Sequence, residues 1–530
     1  MPQVPQGLSA ALVACASLIL AACGSGGGGD RADTQRLNEA DCAQAYFLTD
    51  PPEPRTGPDP LLDSLWHLVN TGQSGGTPGE DLRITDAWAQ ADGTGVRVAI
   101  VDSGIEVVHE DLLPNVVAGG SFNYRPGEHF GSDYPLPCGA GNVHGTAVAG
   151  IVAARGGNAI GGAGVAPAAS MVGLNPLSTN MDADIAHALG YQRRVNAIYA
   201  NSWGSPDGGA LWPSDASFDN TIEQGLAHGR DGLGSIFVFP AGNGGFVGDN
   251  ANFDGYVNKR GQITVCAVDD NGERPWYGET GANVLVCAPS SNTRSAITTT
   301  GLDNRYIGDF TGTSASSPMV SGTVALMLQA NPQLSWRDVQ LILASTARRN
   351  SPDNAGWSEN FGLWHHPEFG FGTVDAAAAV AAAPGWATVG GSAEQKSCQF
   401  EARNPGLPIP DNSLADAVSD SLVVNDCDIQ AIEFIEVRFT AEHTYSGDLQ
   451  IDLISPNGLQ SRLATARVCL DDPSSSRPNA VFCGGYVDWR FGSVRHMNEP
   501  AAGNWILRVA DLQEGDEGVF RSWQMRIWGR

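Results

Sequence analysis

Basic residues and long apolar segments are both scarce in this chain of 530 residues. The chain has 30 Lys and Arg residues and 58 Asp and Glu residues, which gives a formal net charge of -28 at pH 7. Because contacts with nucleic acid phosphates require clusters of Lys and Arg, the composition argues against a nucleic acid partner. No apolar run has the length of a transmembrane helix, and even residues 8–22 are short for one. The sequence also lacks a convincing internal repeat, so it does not indicate a repeat architecture.

What is present describes a folded protein rather than a disordered one. Hydrophobic residues make up 42% of the chain and charged residues 17%, as in ordinary globular domains. The length predicts two to four domains. We expect the acidic surface mainly to keep the chain soluble, although such a surface can also attract basic peptides.

The N-terminus resembles the export signal of a bacterial lipoprotein. The apolar run of residues 8–22 is followed by Cys23, and Leu20-Ala21-Ala22-Cys23 resembles a lipobox. The resemblance implies that Cys23 carries a lipid and becomes the first mature residue. No Lys or Arg precedes the run, which departs from the usual signal, and an ordinary signal cleaved after a small residue is the alternative. We assign residues 1–23 to the signal and residues 24–50 to a flexible linker.

The residue after the lipid-bearing cysteine bears on the destination of the chain. It is Gly24 rather than Asp, which fits sorting to the outer membrane in lipoproteins of this kind. We therefore expect an exported cell-envelope lipoprotein at the outer membrane or cell surface of a Gram-negative bacterium, attached to the membrane through its lipid.

Disulfides are expected in the exported part of the chain. Of the ten cysteines, Cys15 lies in the signal and Cys23 carries the lipid, which leaves an even number. An even number of cysteines in an oxidising compartment favours disulfides. The plausible near neighbours are Cys398 with Cys427 and Cys469 with Cys483; elimination then suggests, as a guess that leaves other pairings open, Cys266 with Cys287 and Cys42 with Cys138.

Strand and helix patterns alternate in a first region, residues 51–385. Val96–Val101 is short and fully apolar, as expected of a buried parallel strand, and His144–Arg155 has apolar residues at helical spacing. The other predicted elements are strands at Ala197–Ala200 and Ile236–Phe239 and helices at Ser217–His228, Ala315–Gln329 with Pro318 in its first turn, Ser335–Thr346 with a capping box, and Ala376–Ala383 on the surface. This alternation predicts an α/β fold with a doubly wound parallel sheet.

A second region, residues 390–530, has a different texture. Gly, Pro and Asn punctuate short segments in which apolar and polar residues alternate with a period of two. The predicted strands are Glu433–Thr440, Asp448–Ile454, Trp505–Val509 and Ser522–Trp528. This pattern predicts an all-β sandwich, and the change of texture places the boundary near residues 385–397.

Three motifs in the first region place reactive side chains at the ends of predicted elements. Asp102 follows the first strand, His144 begins a helix, and Ser314 lies at the start of the long helix. Reactive groups collect at such strand ends in open α/β sheets. An Asp-Ser-Gly or a His-Gly-Thr string alone is as easily structural, but Gly312-Thr313-Ser314-Ala315-Ser316-Ser317-Pro318 is specific. Together the three motifs indicate a catalytic triad.

The three residue types supply the chemistry of a serine nucleophile. A serine hydroxyl is weak until an adjacent base takes its proton. His144 can do this near neutral pH, and Asp102 would orient the imidazole and stabilise the imidazolium. At a helix N-terminus Ser314 also gains backbone N–H groups and a favourable dipole for a developing oxyanion.

Two further segments follow buried strands and are candidates for contact with substrate. Asn243, within Pro240-Ala241-Gly242-Asn243-Gly244-Gly245, can donate its side-chain amide to a tetrahedral oxyanion. Ser202-Trp203-Gly204 can pair with the substrate backbone as an added strand. An isolated Asn-Gly pair usually marks a turn, but the neighbouring triad favours a catalytic role for Asn243.

On these residues the sequence resembles the subtilases, specifically the kexin- and furin-like proprotein convertases. The chain order Asp, His, Ser is that of subtilisin. Gly229–Val238, Phe253–Tyr256 and Leu334–Gln340 are similar to family signatures, and Tyr445–Leu449 and Gly503–Leu507 are similar to the family's P domain, a jelly-roll-like sandwich that supports the catalytic domain. The resemblance covers the chain from Asp59 onward and implies a serine endopeptidase.

The resemblance also implies a preference for basic substrates. Asp207 and Asp254 match two aspartates that line the pocket for the residue before the scissile bond, and carboxylates bind a guanidinium bidentately. Ser103 stands where the family usually has a second Asp, and Gly141 stands where furin-like members have an acidic residue. We therefore expect cleavage after single Arg or Lys as well as after dibasic pairs.

Calcium is the cofactor that the resemblance implies. Its ligands are hard oxygen atoms of carboxylates, amides and backbone carbonyls. The two implied sets are Asp207, Asp249 and Glu279 beneath the pocket, and Asp59, Asp111 and Asn158 together with the backbone carbonyls of Arg155, Ile160 and Gly162. Only the family match links these residues, because their spacing alone does not.

Folding, partners and activity leave several interpretations open. Only 35 residues lie between Cys23 and Asp59, few for the family's usual intramolecular chaperone, so we expect the chain to fold unaided or with a separate chaperone. Its expected partners are protein or peptide substrates, and we expect a monomer. The alternatives are a catalytically inactive surface binding protein, a subtilase of non-basic specificity, and an independent adhesin or glycan binder in the second region.

Overall fold

The computed structural model of the chain describes residues 55–127, 129–137, 142–470 and 479–530. The predictions for the signal and linker, for the pair Cys42–Cys138 and for Gly141 concern residues outside these ranges. Within the ranges, no helix combines the length and apolar character that crossing a membrane requires.

The first region is built on a six-stranded parallel sheet. Its strands are β1 (Arg97–Val101), β2 (Ser170–Leu174), β3 (Ile198–Asn201), β4 (Ile236–Pro240), β5 (Gln262–Val268) and β6 (Val284–Pro289). Their order across the sheet is β2-β1-β3-β4-β5-β6. Strands β3 to β6 are buried along their whole length, which explains why their sequences are mostly apolar. The predicted parallel sheet is confirmed.

Helices and two short hairpins complete this region. The helices are α1 (Ile84–Trp88), α2 (His144–Ala153), α3 (Asp182–Gly190), α4 (Ala216–His228), α5 (Thr313–Ala330), α6 (Trp336–Thr346) and α7 (Ala376–Ala382); the hairpins are β7 (Ile297–Thr300) with β8 (Tyr306–Phe310), and β9 (Ser358–Asn360) with β10 (Leu363–His365). Helix α5 is almost fully buried and packs against β3, β4, β5 and β6. Helix α6 begins with the predicted capping box of Ser335 and Asp338.

The strand order reverses beside β1, and this reversal creates a crevice. From β1 the chain crosses to β2 on one side, whereas from β3 it crosses to β4 on the other. Ligands of open α/β sheets bind outside the carboxyl ends of strands at such a switch point. Asp102 directly follows β1 and Ser202 directly follows β3, so both predicted site segments lie at this crevice.

Two details of the helices differ from the sequence prediction. Because α5 already begins at Thr313, Pro318 lies in its second turn and not in its first. Proline has no N–H to bond the carbonyl of Ser314 four residues earlier. That carbonyl instead accepts the hydroxyl of Ser202 at 3.1 Å. Helix α7, predicted on the surface, buries one face and packs against α1 and α5.

The second region is a sandwich of two antiparallel sheets, as predicted. Its strands are β11 (Lys396–Gln399), β12 (Leu407–Ile409), β13 (Val418–Val424), β14 (Ile432–His443), β15 (Leu449–Ile454), β16 (Gln460–Ala464), β17 (Tyr486–Ser493), β18 (Gly503–Asp511) and β19 (Gly518–Gly529). One sheet has the order β11-β19-β14-β17, with β12 also paired to β19, and the other has the order β13-β18-β15-β16. Trp505 and Trp523 are buried in the core of the sandwich, where aromatic rings contribute large apolar areas.

Three of the predicted disulfides are present. Cys266–Cys287 joins the neighbouring strands β5 and β6, Cys398–Cys427 begins at β11, and Cys469–Cys483 closes a loop between β16 and β17. The loop closed by Cys469–Cys483 lies against the first region, because the N–H of Leu211 donates to the carbonyl of Cys483 at 3.1 Å.

A buried ion pair also joins the two regions. Arg337 on α6 donates through Nη2 and Nε to the two carboxylate oxygens of Glu433 on β14, at 2.6 and 2.8 Å. Arg337 is only 1% exposed and Glu433 only 6%. A bidentate pair of this kind fixes the orientation of both side chains, and removing Glu433 would leave the charge of Arg337 buried and uncompensated.

Candidate active site

Asp102 and His144 form a hydrogen-bonded pair at the end of β1. Nδ1 of His144 lies 2.9 Å from Oδ1 and 3.0 Å from Oδ2 of Asp102. Asp102 is fully buried, and its Oδ1 also accepts the backbone N–H of Ser103 at 2.7 Å. A carboxylate in this position favours the histidine tautomer with a proton on Nδ1, so that Nε2 is free to accept a proton.

The helix that carries His144 approaches β1 very closely. A Cβ atom on Gly145 would lie 2.3 Å from the carbonyl oxygen of Gly104 and 2.9 Å from Cβ of Asp102. Only glycine fits this contact, so the glycine after the histidine is a packing requirement of the pair. Burial alone would lower the pKa of His144, but the charge and the hydrogen bond of Asp102 outweigh burial and raise it.

Ser314 is the second residue of α5 and lies at the same crevice. Gly312 precedes the helix with a φ of 82°, a conformation that glycine adopts without strain. The Ser314 hydroxyl donates to the carbonyl oxygen of Ser202 at 3.0 Å. Because a hydroxyl has a single proton to donate, it must turn from Ser202 to Nε2 of His144 before Ser314 can act as a nucleophile.

Asn243 is oriented by the residue next to the nucleophile. Its Oδ1 accepts both the backbone N–H of Thr313 at 2.8 Å and the Thr313 hydroxyl at 3.0 Å. These bonds leave the Nδ2 group as the end available to a substrate oxygen. Sequence analysis assigned no role to Thr313, although its position beside Ser314 in the specific string was the available signal.

A cavity of about 210 Å³ joins the nucleophile to the predicted substrate-contacting residues. Its walls are Ser202, Trp203, Gly204, Ser205, Pro206, Asp207, Ala210, Trp212, Pro240, Ala241, Gly242, Asn243, Asp249, Phe253, Asp254, Glu279 and Ser314. The cavity therefore brings together Ser314, Asn243 and all five residues that the sequence assigned to substrate binding. Trp212 and Phe253 were assigned no role there, because neither has a reactive group.

Two of the cavity carboxylates are held by neighbouring backbone groups. Asp207 accepts the N–H of Asn243 at 2.9 Å, and Asp254 accepts the N–H and the hydroxyl of Ser205 at 2.8 and 2.9 Å. Burial nevertheless raises the pKa of both Asp207 and Asp254 above the ordinary value. A cationic side chain in the cavity would offset the cost of keeping both carboxylates ionised.

Asp249 and Glu279 extend this acidic lining. Asp249 accepts the N–H of Gly209 at 2.7 Å, and Glu279 accepts the N–H of Gly244 at 2.9 Å. Burial, together with the charges of neighbouring carboxylates, raises the pKa of Asp249 to about 7 and that of Glu279 well above its ordinary value. In the described part of the chain, no group of three or more His, Cys, Asp or Glu side chains is arranged to hold a metal ion.

The other predicted calcium residues also lie together. Asn158 donates through its N–H to Asp59 at 3.0 Å and through Nδ2 to Asp111 at 2.7 Å. Burial raises the pKa of Asp111 to about 7. The backbone N–H of Ile160 donates to the amide oxygen of Asn158 at 2.9 Å. The N–H of Gly162 donates to the Asp111 carboxylate at 3.4 Å, and the N–H of Arg155 donates to the Asp111 carbonyl at 2.8 Å.

Comparison with known proteins gives matches in both regions. The subtilase family matches residues 93–363, and the proprotein convertase P-domain matches residues 432–527. The chain is 37% identical over 484 residues to the dibasic-processing endoprotease of Schizosaccharomyces pombe, covering 89% of this chain and 65% of that protein. It is 33% identical over 484 residues to kexin of Saccharomyces cerevisiae, covering 89% and 56%.

A solved structure shares the arrangement of both regions. The serine protease of Aeromonas sobria, crystallised in complex with the chaperone ORF2, superposes with a TM-score of 0.78 at 25% identity, covering 90% of this chain and 96% of that one. The chain spans only 65% and 56% of the two curated relatives. The subtilase match covers 271 of the 530 residues, residues 93 to 363 inclusive. The chain therefore belongs to the subtilase family and carries a proprotein convertase P domain after its peptidase domain.

Proposed function

We propose that the protein is a serine endopeptidase in which Ser314 attacks a peptide carbonyl. The observation that carries the proposal is the hydrogen-bonded pair of Asp102 and His144 at one crevice with Ser314 and the side-chain amide of Asn243. One relative described above is named a dibasic-processing endoprotease and the other kexin, which supports the same activity.

Each residue has one task in the reaction. His144 takes the proton of the Ser314 hydroxyl as the oxygen attacks, and Asp102 stabilises the imidazolium that forms. The oxygen of the tetrahedral intermediate accepts hydrogen bonds from the Asn243 amide and from N–H groups at the start of α5. His144 then gives its proton to the leaving amine, and water repeats the sequence to release the acyl group.

Covalent labelling tests the proposed nucleophile. A fluorophosphonate probe should label the purified chain at Ser314, and both Ser314→Ala and His144→Ala should abolish labelling. Ser345→Ala on α6 is the control, because the Ser345 hydroxyl donates to the carbonyl of Ile342 in its own helix at 3.2 Å and its removal should leave labelling intact. Labelling that survives Ser314→Ala would refute the proposal.

We further propose that the residue before the scissile bond is Arg or Lys. The support is the pair Asp207 and Asp254, whose half-buried side chains line the cavity beside Ser314. A guanidinium can bind such carboxylates bidentately, so Arg should be preferred over Lys. Because Ser103 and Gly141 replace acidic residues of the family, single basic residues should suffice.

Peptide hydrolysis tests this specificity. Peptides with Arg, Lys, Leu or Phe before the scissile bond should show kcat/KM highest for Arg, and Asp254→Asn should reduce the advantage of Arg. Asp231→Asn is the control, because Asp231 is an exposed carboxylate. A second peptide series that varies only the next residue toward the N-terminus should show cleavage without a dibasic pair.

Calcium binding belongs to the same proposal. The donor chemistry fits, because the first predicted set consists of three carboxylates and the second combines two carboxylates with amide and carbonyl oxygens, and two of these carboxyls have a pKa raised to about 7. Asp207, Asp249 and Glu279 would hold one ion, and Asp59, Asp111 and Asn158, with the carbonyls of Arg155, Ile160 and Gly162, the other. Bound calcium would supply positive charge that stabilises these ionised groups. A chelator should lower the melting temperature, and Asp249→Asn should reduce that effect.

Attachment to the cell envelope through a lipid on Cys23 completes the proposal. The lipobox supports it, and metabolic labelling with a radioactive fatty acid should modify the wild-type chain and not Cys23→Ala.

We also propose that a separate chaperone assists folding, supported by the Aeromonas sobria protease that was crystallised with one. Recovery of full activity from the single chain refolded alone would refute this part.

A further inference from the structure

One loop carries much of the wall of the substrate cavity. This pocket loop, residues 205–213, includes Asp207 and Trp212, both of which line the cavity. Trp212 joins the loop to the segment that carries Asp254: its N–H donates to the Phe253 carbonyl at 3.0 Å, and its carbonyl accepts the N–H of Gly255 at 2.7 Å. The two acidic side chains proposed to bind the basic residue therefore lie on two segments that are hydrogen-bonded to each other.

The P domain supports the pocket loop from behind. The N–H of Leu470 donates to the carbonyl of Gly208 at 2.9 Å, and the N–H of Leu211 donates to the carbonyl of Cys483 at 3.1 Å. The disulfide Cys469–Cys483 closes this P-domain loop between the two contacts. The middle of the pocket loop is thus hydrogen-bonded to a covalently closed part of the other domain.

Arg467 of the P domain contacts both cavity segments at once. Its Nε donates to the carbonyl of Gly209 in the pocket loop, and its guanidinium carbon lies 3.6 Å from the ring centroid of Phe253. Nη1 donates to the Tyr486 hydroxyl at 3.1 Å. Arg467 is 5% exposed, and its Nη2 has no hydrogen-bond partner among the residues that the structure describes.

Gly209 transmits this contact to the acidic lining. Its φ is 79°, and a Cβ atom there would lie 3.0 Å from the carbonyl oxygen of Val468, so the loop approaches the P domain as closely as the backbone allows. The carbonyl of Gly209 accepts Arg467, while its N–H donates to Asp249 at 2.7 Å. One residue therefore joins the P-domain arginine to a wall of the cavity.

We propose that Arg467 is a positioning residue that sets the substrate specificity of the peptidase domain. By holding Gly209 and Phe253, it keeps Asp207 and Asp254 at the separation that a guanidinium requires. The planar guanidinium can donate in its plane and stack on a ring with its face, which a lysine ammonium cannot do at the same site. The inference rests on the proposed function, because it concerns the recognition of a basic substrate residue.

Substitution of Arg467 tests the inference against a matched arginine. Arg495 is also a buried P-domain arginine that contacts the peptidase domain, through Nη2 to the Ser358 hydroxyl at 2.7 Å, but Ser358 lies on β9 and outside the cavity. Arg467→Met, Arg467→Lys and Arg495→Met should be assayed with excess calcium on peptides that have Arg or Leu before the scissile bond. The readouts are kcat, KM and the ratio of kcat/KM for Arg over Leu.

The two arginines should behave differently. Since small misplacements of binding groups cost about 10²-fold, Arg467→Met should lower the Arg-over-Leu ratio by at least about tenfold, mainly through KM for the Arg peptide. Arg467→Lys should lower the ratio too, and Arg495→Met should leave it within about twofold of the wild type. If Arg467→Met does not fold, Arg467→Lys decides. An unchanged ratio in the folded Arg467 variants, or an equal fall in Arg495→Met, would overturn the proposal.

Failure of the proposed function gives a different result. In that case the wild-type chain itself would show no labelling of Ser314 or no preference for the Arg peptide. Labelling by the fluorophosphonate should be retained in every folded Arg467 variant, because Arg467 touches the walls of the cavity and not the triad. A loss of labelling in Arg467→Lys would show a general structural effect and would likewise count against a role in specificity.

Discussion

Polar groups of the peptidase domain and of the P domain serve different purposes. In the peptidase domain Asp102 and Asn243 lie at the crevice where a substrate is expected. In the P domain Glu433 and Arg467 instead face the peptidase domain, to α6 and to the pocket loop. The difference teaches that the chemistry lies within one domain, whereas the stability and the shape of the cavity depend on both.

Removal of the nucleophile should separate chemistry from stability most completely. Ser314→Ala should lower kcat by a factor on the order of 10⁶, which is the size observed in the related enzyme subtilisin when its nucleophile is removed. The melting temperature should change little, because the Ser314 hydroxyl makes only one hydrogen bond that is lost. Peptide hydrolysis and calorimetry on the same samples check both expectations. A large fall in melting temperature would contradict the separation.

The opposite experiment targets the ion pair between the domains. Glu433→Gln leaves Arg337 buried without a compensating charge, so we expect a loss of about 3–5 kcal/mol in the free energy of unfolding. Denaturant unfolding measures it, and kcat of the folded fraction should remain near the wild-type value. The double variant Arg337→Met/Glu433→Leu is the control, because it removes both charges and should recover most of the stability. A double variant as unstable as Glu433→Gln would contradict this account.

The oxyanion donor should give an intermediate effect that is confined to catalysis. Asn243→Ala should lower kcat by about 10²- to 10³-fold with little change in KM, because the amide acts on charge that develops during the reaction. Thr313→Val keeps the backbone N–H that binds Asn243 and removes only the hydroxyl. A fall in kcat for Thr313→Val that is smaller than the fall for Asn243→Ala would show that the orientation of the amide also contributes to catalysis. Equal falls in the two variants would contradict the expectation that loss of the amide has the larger effect.

The smallest effect concerns a histidine at the domain interface. Both ring nitrogens of His365 are buried without hydrogen-bond partners among the described residues. Burial first, and then the positive charges of Arg495, His366 and His496, lower the pKa of His365 well below 6.5. The unfolded chain therefore binds a proton below about pH 6.5 that the folded chain does not, and His365 should remove stability as the pH falls, by at most about 1.4 kcal/mol per pH unit. Calorimetry from pH 7 to pH 5 should show a shallower fall for His365→Gln than for the wild type.

Much of the fold could be predicted because its strands obey simple patterns. The mostly apolar runs of β1, β3 and β4 predicted buried parallel strands, and alternation predicted β14, β15, β18 and β19. Hairpin strands β7 to β10 were not predicted, because they are three to five residues long and lack a clear period. The start of α5 was placed two residues late, because its first residues, Thr313 and Ser314, are types that also occur in turns and helix caps.

The site was predictable where its residues lie in local motifs and unpredictable where they meet across the chain. Asp102, His144 and Ser314 each lie in a short sequence motif at the end of a predicted strand or at the start of a predicted helix. The contact of Arg467 with Gly209 joins residues 258 positions apart, and no motif around Arg467 indicates its partner. Such a contact is set by how two domains pack, and no local pattern records it.

Pro318 has a consequence for how a substrate must lie. Because it frees the carbonyl of Ser314, that carbonyl and the Ser314 hydroxyl are both bonded to Ser202, the residue on which a substrate strand would begin to pair. A peptide laid along residues 202–204 therefore pairs with a segment whose first residue stays hydrogen-bonded to the Ser314 carbonyl when the Ser314 hydroxyl turns to His144. The position of the scissile bond relative to the Ser314 hydroxyl is then set by the direct contact between Ser202 and Ser314.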